Sequence, residues 1–328
     1  MNRTMFVFIL TFTFIVSGCS PQSEQILIQK NGEINQTIEQ IISKNNEELI
    51  QAIQIGNGQA IIDKGTQRFK NFIAINKLNE LLKEYGSVLG GTSYDEVVYY
   101  YIKGAKGQNL KELLGVEENT GIQIDLNVSG DEAIFSLLKT KADANETLVL
   151  FQYLPEDGYW RLESYTSSNY AIMGKTAQEY YNDAIVALQN DREISAFIYL
   201  LLSEGLINNM TILQYPNQED ILNEAQNLRQ RIYSQLPLDL DGIANVVIFD
   251  FAFLVTNQQG VVPVIRYSTI TSFMNMQDIK EEAYEANVAF EKVFPGLIKD
   301  FPVYLFQAYA EIPTSTGVSY ETRFTVID

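Results

Sequence analysis

Residues 147–163 read TLVLFQYLPEDGYWRLE, and this stretch decides the fold class. Residues 147–154 and 159–163 are two short segments rich in apolar and aromatic side chains, which favour strands. Between them lies Pro155-Glu156-Asp157-Gly158, whose proline and Asp-Gly pair are typical of a turn. We therefore expect two antiparallel strands joined by a short turn.

Strand patterns continue upstream of this hairpin. Residues 97–102 and 133–138 are predicted strands, and residues 122–128 alternate between apolar and polar side chains, as a half-buried strand does. Residues 109–114 are predicted to form a short helix, because Asn109 is a good N-cap and the following glycine a good C-terminal stop.

Helices precede these strands. They are predicted over residues 37–55 and 59–73, and a third begins at Asn76 as its N-cap and stops at Gly86. Helices followed by antiparallel strands indicate an α+β fold, in which N-terminal helices pack on a curved antiparallel sheet.

Two segments resemble nuclear-transport-factor-like domains, whose cone-shaped fold many bacterial lipoproteins carry. They are Ile55-Gly56-Asn57-Gly58, between early helices, and Asp157-Gly158-Tyr159-Trp160-Arg161-Leu162. The resemblance covers residues 36–165 and implies a concave sheet that holds a small ligand or a protein partner. Enzymatic members carry a polar catalytic pair, usually Asp and His, whereas this chain has no histidine.

Aromatic residues of this region are candidates for lining a ligand pocket or an interface at the mouth of the first domain. They are Tyr99, Tyr101, Phe151, Tyr153 and Trp160, together with Phe135. Aromatic rings with polar tips suit such surfaces. The alternative interpretation is ordinary core packing.

The second half of the chain is predicted to contain a helical linker and a second module. Residues 174–236 are helical, beginning with the capping box Thr176-Ala177-Gln178-Glu179. The pattern after them is β-β-α-β-β, with strands at 245–256, 261–269, 302–312 and 318–327 and a helix at 276–294. Short strand connections indicate antiparallel pairs.

Asp250 interrupts an apolar strand, where an unpaired buried charge would be costly. A three-residue turn at 257–259 would pair Thr256 with Gly260, and hence Asp250 with Arg266. We expect a cross-strand ion pair. The alternatives are an outward-facing Asp250 or a role for it in binding.

The first twenty residues resemble a bacterial lipoprotein signal peptide. After Arg3, an apolar segment of residues 5–16 leads to the lipobox Val16-Ser17-Gly18-Cys19, which holds the one cysteine of the chain. The segment is too short to span a bilayer, which needs about 20 residues. The resemblance implies cleavage after Gly18 and a diacylglyceryl thioether on Cys19. The alternative is a plain secretory signal with a chance cysteine.

Composition narrows the function classes. The chain has 328 residues, 41 of them acidic and 23 basic; without Arg3 the mature charge is −19. Such a surface repels phosphate backbones, so nucleic acid is not an expected partner. It also repels anionic lipid headgroups, so acyl chains must hold the protein at a membrane. The absence of histidine removes the commonest general base and metal ligand.

Three further motifs are incomplete. The S-x-x-K pattern of Ser136 to Lys139 lacks a later K-T-G, Gly174-Lys175-Thr176 lacks the glycines of a phosphate loop, and Asp239-Leu240-Asp241-Gly242 lacks the later calcium ligands. We expect no catalytic, cofactor or metal site at these positions.

The sequence thus favours a non-enzymatic lipoprotein, anchored through Cys19 on the extracytoplasmic face of the cell membrane, that binds an envelope ligand or protein. The expected organisation is a signal peptide (1–18), a polar tether (19–35), an α+β domain (36–173), a helical segment (174–236) and a C-terminal α+β domain (237–328). Two alternatives are a solute-binding lipoprotein of a transporter, built from two parallel-sheet lobes, and a carboxylate- or tyrosine-based envelope hydrolase, which needs two acids about 5–9 Å apart in one cleft.

Overall fold

A computed structural model describes residues 26–90, 93–114, 122–208, 213–240, 242–243, 245–313 and 322–327. Cys19 and the signal segment lie outside the described residues, as do Asp241 and residues 318–321. The expectations for a lipid anchor and for the start of the last strand therefore stay predictions.

The helices and strands alternate in blocks along the chain. The helices are α1 (Gln36–Gln54), α2 (Gly58–Asp63), α3 (Gln67–Phe72), α4 (Ile75–Gly90), α5 (Ala177–Gln189), α6 (Glu193–Asn208), α7 (Gln218–Tyr233), α8 (Met276–Val293) and α9 (Leu297–Asp300). The strands are β1 (Leu27–Lys30), β2 (Ser93–Lys103), β3 (Asn109–Leu113), β4 (Gln123–Asn127), β5 (Glu132–Ala142), β6 (Asn145–Glu156), β7 (Tyr159–Ile172), β8 (Lys175–Thr176), β9 (Leu213–Gln214), β10 (Leu238–Asp239), β11 (Val247–Thr256), β12 (Gly260–Ser268), β13 (Tyr304–Tyr309) and β14 (Thr322–Ile327).

The predicted hairpin lies within the largest sheet. Strands β6 and β7 pair antiparallel, with Glu156 opposite Tyr159 across the turn. The sheet has the order β1-β2-β5-β6-β7-β8, and each neighbouring pair is antiparallel. The α+β fold class, with N-terminal helices on a curved antiparallel sheet, is confirmed.

Both faces of this sheet are buried. Because side chains alternate along a strand, Ile134 and Leu138 face a core shared with α1, α2 and α4, whereas Phe135 and Leu137 face a second, larger core. The sheet is therefore a central layer, and neither face is left as an open concave surface over these residues.

The second core continues into the rest of the chain. Buried residues of α5, α6 and α7 belong to it, and so do residues of the C-terminal sheet such as Phe251, Tyr267 and Phe306. The helical segment, expected as a linker, thus packs into a core that reaches both sheets. The Thr176 capping box is present as predicted, with the Thr176 side chain and the Glu179 side chain each bonded to the other's backbone.

The C-terminal sheet has the order β10-β11-β12-β13-β14. The expectation of antiparallel pairs is confirmed for β11 with β12 and for β13 with β14, but it is wrong for β12 with β13, which pair parallel. The physical reason is the crossover through α8 and α9, which returns the chain to the same end of the sheet before β13 begins. The described strands do not form the two parallel-sheet lobes that the transporter alternative requires.

Residues 109–114 are not a helix, and that prediction was wrong. Asn109–Leu113 form β3, which pairs along its whole length with β4. Leu110 lies opposite Leu126, so pairing with the neighbouring strand outweighs the local signals for helix caps. Asparagine and glycine, the residue types of those caps, are also common at the ends of strands.

Three other boundaries differ from the sequence prediction. Residues 27–30, expected in the polar tether, form β1 on the edge of the large sheet. The helix expected over 59–73 is broken where Gly65 bridges to Leu162 and Thr66 caps a new helix. Helix α4 continues through Gly86, where a Cβ atom would lie 2.5 Å from the carbonyl oxygen of Ile53; this glycine permits close packing of α4 on α1.

Candidate functional site

The candidate site is a cleft where the end of α7 meets the C-terminal sheet. Asp250 on β11 lies opposite Arg266 on β12, and Thr256 lies opposite Gly260, as the sequence predicted. The register shifts between Ile248 and Asp250, which marks a β-bulge at Phe249. Bulges re-aim side chains, and they occur frequently beside binding sites.

Asp250 is held from two sides. Arg266 Nη1 donates to Asp250 Oδ2 at 2.8 Å, and the Tyr233 hydroxyl donates to Asp250 Oδ1 at 2.5 Å. Arg266 Nε also donates to Oε1 of Gln307 on β13, at 3.2 Å. The cross-strand ion pair is therefore confirmed, and it belongs to a network that joins α7, β11, β12 and β13.

The environment keeps the Tyr233 hydroxyl protonated. Burial raises the pKa of Tyr233 well above its usual value, and the hydrogen bond to the Asp250 carboxylate raises it further. Tyr233 is thus a fixed donor at any physiological pH, and Asp250 accepts hydrogen bonds from this hydroxyl and from the Arg266 guanidinium.

Apolar side chains surround this polar network. The cleft has a volume of about 430 Å³ and is lined by Tyr233, Leu236, Pro237, Phe249, Asp250, Arg266, Tyr309, Ile312 and Pro313. The rings of Phe249 and Tyr309 meet edge to face, with their centroids 5.2 Å apart. A mostly apolar cleft with a few fixed polar groups has the character of a small-ligand site.

The arrangement is suited to binding. Arg266 has five N–H groups, and the bonds to Asp250 and Gln307 use two of them. The side chain of Arg266 is 36% exposed, so its remaining donors are accessible from the cleft. The site can accept an apolar group against Phe249 and Tyr309 and a hydrogen-bond acceptor at Arg266.

The aromatic residues predicted to line the first domain do not form one open surface. Tyr99, Phe151 and Tyr153 are buried between the sheet and α1. These three residues therefore pack in the core, as the alternative interpretation proposed. Phe135 lies on the opposite face of the sheet. The side-chain alternation that places these rings inward cannot by itself tell an open face from one covered by a helix.

Tyr101 and Trp160 keep part of their surface exposed. Their rings meet edge to face with centroids 6.5 Å apart, and the Tyr101 hydroxyl donates to Oε1 of Glu132 at 2.6 Å. Burial, together with Glu132, raises the pKa of Tyr101 to about 12. Tyr101 and Trp160 form a small aromatic pair, and neither residue lines the cleft around Arg266.

Most residues of the cleft carried no separate signal in the sequence. Asp250 stood out because it interrupts an apolar strand, and Arg266 followed from the register of the hairpin. Tyr233, Phe249 and Tyr309 read as ordinary helix or strand residues, because only the packing of α7 on the sheet brings them together.

A second cleft, of about 460 Å³, is acidic. Asp191, Glu193 and Glu224 line it, together with Arg231, whose Nε lies 3.1 Å from Glu193 Oε1. The hydrolase alternative needs converging acids, and three acidic side chains share this cleft. In the part of the chain that the structure describes, no group of three or more acidic, cysteine or histidine side chains is placed to hold a metal ion.

Ser136 of the S-x-x-K pattern is buried in β5 and accepts a hydrogen bond from Asn46 Nδ2 at 2.8 Å. This contact explains the buried position of Ser136.

Over the described ranges, no helix has the length and apolar character needed to cross a bilayer.

No protein-family model, no curated protein and no solved structure matches this chain. The resemblances to lipoprotein signal peptides and to nuclear-transport-factor-like domains therefore stay predictions from the residues that carry them.

Proposed function

We propose that this protein is a lipid-anchored, extracytoplasmic binding protein, and that the cleft around Arg266 takes a small amphipathic ligand. The observation that carries the proposal is the network of Asp250, Arg266, Tyr233 and Gln307 within an otherwise apolar cleft. The activity is recognition, with no chemical step.

The anchor follows from the lipobox at Val16-Ser17-Gly18-Cys19. A diacylated Cys19 would supply two acyl chains, and stable attachment to a membrane takes about two such signals. The acidic surface of the mature chain offers no attraction to anionic headgroups, so the acyl chains would have to provide the attachment.

The chemistry of the cleft limits its ligand. Asp250 balances the charge of Arg266, so the cleft as a whole does not demand a highly charged ligand. Phe249, Tyr309 and Ile312 favour an apolar body, and the unused N–H groups of Arg266 favour a carbonyl, carboxylate or other acceptor at one end of it.

The anchor is tested by mass spectrometry of the mature N-terminus, in the wild type and in Cys19→Ala. We expect a diacylglyceryl-modified Cys19 in membrane fractions of the wild type, and loss of membrane attachment in the variant. An unmodified Cys19 or Ser20 at the mature N-terminus would show that the segment is a plain secretory signal.

The cleft is tested by thermal unfolding in the presence of small-molecule extracts of the host envelope. A ligand that binds the native state raises the melting temperature. We expect a rise for the wild type that is lost in Arg266→Gln. The control is Arg231→Gln. This variant also breaks an ion pair, between Arg231 and Glu193, but that pair lies outside the cleft around Arg266. Equal responses of the two variants would contradict the assignment.

A further inference from the structure

A polar cleft lies between α3 and the large sheet, in a different part of the molecule from the Arg266 cleft. It has a volume of about 410 Å³ and is lined by Arg68, Phe69, Phe72, Asn127, Ser129, Gln152, Glu163, Ser164 and Thr166. None of these residues takes part in the network around Asp250, so a ligand here would be independent of the one proposed above.

Glu163 is a buried carboxylate at a β-bulge. Gln152 lies opposite Ser164 and Tyr153 lies opposite Leu162, so Glu163 is the extra residue of β7 without a cross-strand partner. Its side chain is only 5% exposed. The Thr66 hydroxyl donates to Oε2 at 2.7 Å, and Arg68 Nη1 lies 3.0 Å from Oε1.

The carboxylate holds Arg68 at the cleft. The Arg68 side chain is 76% exposed, yet its guanidinium is fixed at one end by Glu163. The lining contains one acid and one base, so the cleft carries no net charge. Glu163 therefore balances the charge of Arg68, and the cleft has no unpaired charge that would favour a charged ligand.

The remaining polar groups supply both donors and acceptors. Gln152 is buried, with Nε2 donating to the Asn127 carbonyl and Oε1 accepting from the Ser164 hydroxyl, each at 3.1 Å. Ser129 Oγ is shielded from solvent and has no hydrogen-bond partner among the described residues. The side chains of Arg68, Asn127 and Ser164 are exposed, so their donors and acceptors are accessible to a ligand in the cleft.

An aromatic face completes the lining. Phe72 is 88% exposed at the cleft, whereas Phe69 of the same helix is buried. A purely apolar ligand would cover Phe72 but would leave the exposed polar side chains of Arg68, Asn127 and Ser164 without partners. The matching chemistry is a ring with an apolar face and several hydroxyl groups.

From these contacts we infer that the cleft binds one ring of a neutral saccharide. The apolar face of the saccharide ring lies on Phe72, and the ring's hydroxyl groups exchange hydrogen bonds with the exposed side chains of Arg68, Asn127 and Ser164.

The test is calorimetric titration of the full-length, detergent-solubilised protein with three soluble probes: chitotriose, cellotriose and maltotriose. We expect at least one to bind with a millimolar or lower Kd. Phe72→Ala should weaken that binding by about tenfold, a loss of about 1.4 kcal/mol. Phe324→Ala removes another exposed phenylalanine, on β14, and should leave the affinity unchanged.

Glu163→Gln keeps the shape of the side chain but removes the charge that fixes Arg68, and it should also weaken binding. Cosedimentation with isolated peptidoglycan then separates a polymer ligand from a free oligosaccharide; either source supports the inference. Absence of binding by all three probes at millimolar concentration would overturn it, and so would equal losses in Phe72→Ala and Phe324→Ala. Neither result depends on the Arg266 cleft.

Discussion

The Tyr153 hydroxyl donates a hydrogen bond to Oδ1 of Asn46 at 2.8 Å, and this contact ties the large sheet to helix α1. Asn46 Nδ2 donates in turn to Ser136 Oγ at 2.8 Å and to the Tyr99 hydroxyl at 3.3 Å. One fully buried amide therefore satisfies side chains from three neighbouring strands. Such a network fixes the position of the helix on the sheet more specifically than apolar packing alone.

Asn46→Ala should be strongly destabilising. It would leave the Tyr153 hydroxyl buried without an acceptor and Ser136 without its donor, and unsatisfied groups cost about 1–3 kcal/mol each. We expect the free energy of unfolding in urea to fall by about 3 kcal/mol. Gln40→Ala, at an exposed position of the same helix, is the control and should change it by less than about 0.5 kcal/mol. Equal effects would mean that the network contributes nothing specific.

Tyr233→Phe removes the hydroxyl that donates to Asp250 while keeping the ring. Since a hydrogen bond to a charged group contributes about 1.5 kcal/mol, we expect a loss of about that size, measured by urea denaturation. Tyr284→Phe is the matched control, because Tyr284 is similarly exposed, at 40% against 41%. An equal loss of stability in Tyr284→Phe would show that the loss in Tyr233→Phe does not come from the hydrogen bond to Asp250.

Stability should fall as the pH rises at alkaline values. Burial raises the pKa of Tyr100, Tyr101 and Tyr180 from 10.0 to about 12. The folded chain therefore holds these protons more tightly than the unfolded chain, so the stabilisation is complete below pH 10 and is lost as the pH rises through 12. With no histidine in the chain, we expect little change between pH 6 and 9.

Urea denaturation at intervals from pH 6 to 12 measures this dependence directly. Absorbance of tyrosinate, followed over the same range, would show whether the loss of stability coincides with ionisation of the tyrosines. A free energy of unfolding that stays constant up to pH 12, or that falls steeply between pH 6 and 9, would contradict the assignment.

Thr176→Ala should weaken the start of α5. The Thr176 hydroxyl accepts from the Glu179 amide in the capping box, and removal of such a cap costs about 1 kcal/mol. Thr37→Ala, within the first turn of α1 rather than at its cap, should have a smaller effect in the same thermal or urea measurement. A loss from Thr37→Ala equal to that from Thr176→Ala would argue against a specific contribution of the cap.

Local patterns predicted much of the fold. The hairpin at residues 147–163, the capping box at Thr176 and the pairing of Asp250 with Arg266 each depend on nearby residues or on a short turn, and each was confirmed. Their physical causes act within one or two elements, so the sequence contains the whole signal.

Features set by distant packing could not be predicted in this way. Strand β3 carries the local signals of a short helix, and only pairing with β4 makes it a strand. The parallel pairing of β12 with β13 depends on where α8 packs, and the fate of Tyr99, Phe151 and Tyr153 depends on α1 covering their face of the sheet. The Arg266 cleft likewise exists because α7 ends beside that sheet.

The most direct measurement is native mass spectrometry of the mature protein, released gently from the envelope of its host. We predict a reproducible additional mass of small-molecule size on the wild type, absent from Arg266→Gln and retained in Arg231→Gln. A bare wild-type protein, or an adduct that survives Arg266→Gln in a chain that also carries Phe72→Ala, would contradict a ligand site in the Arg266 cleft.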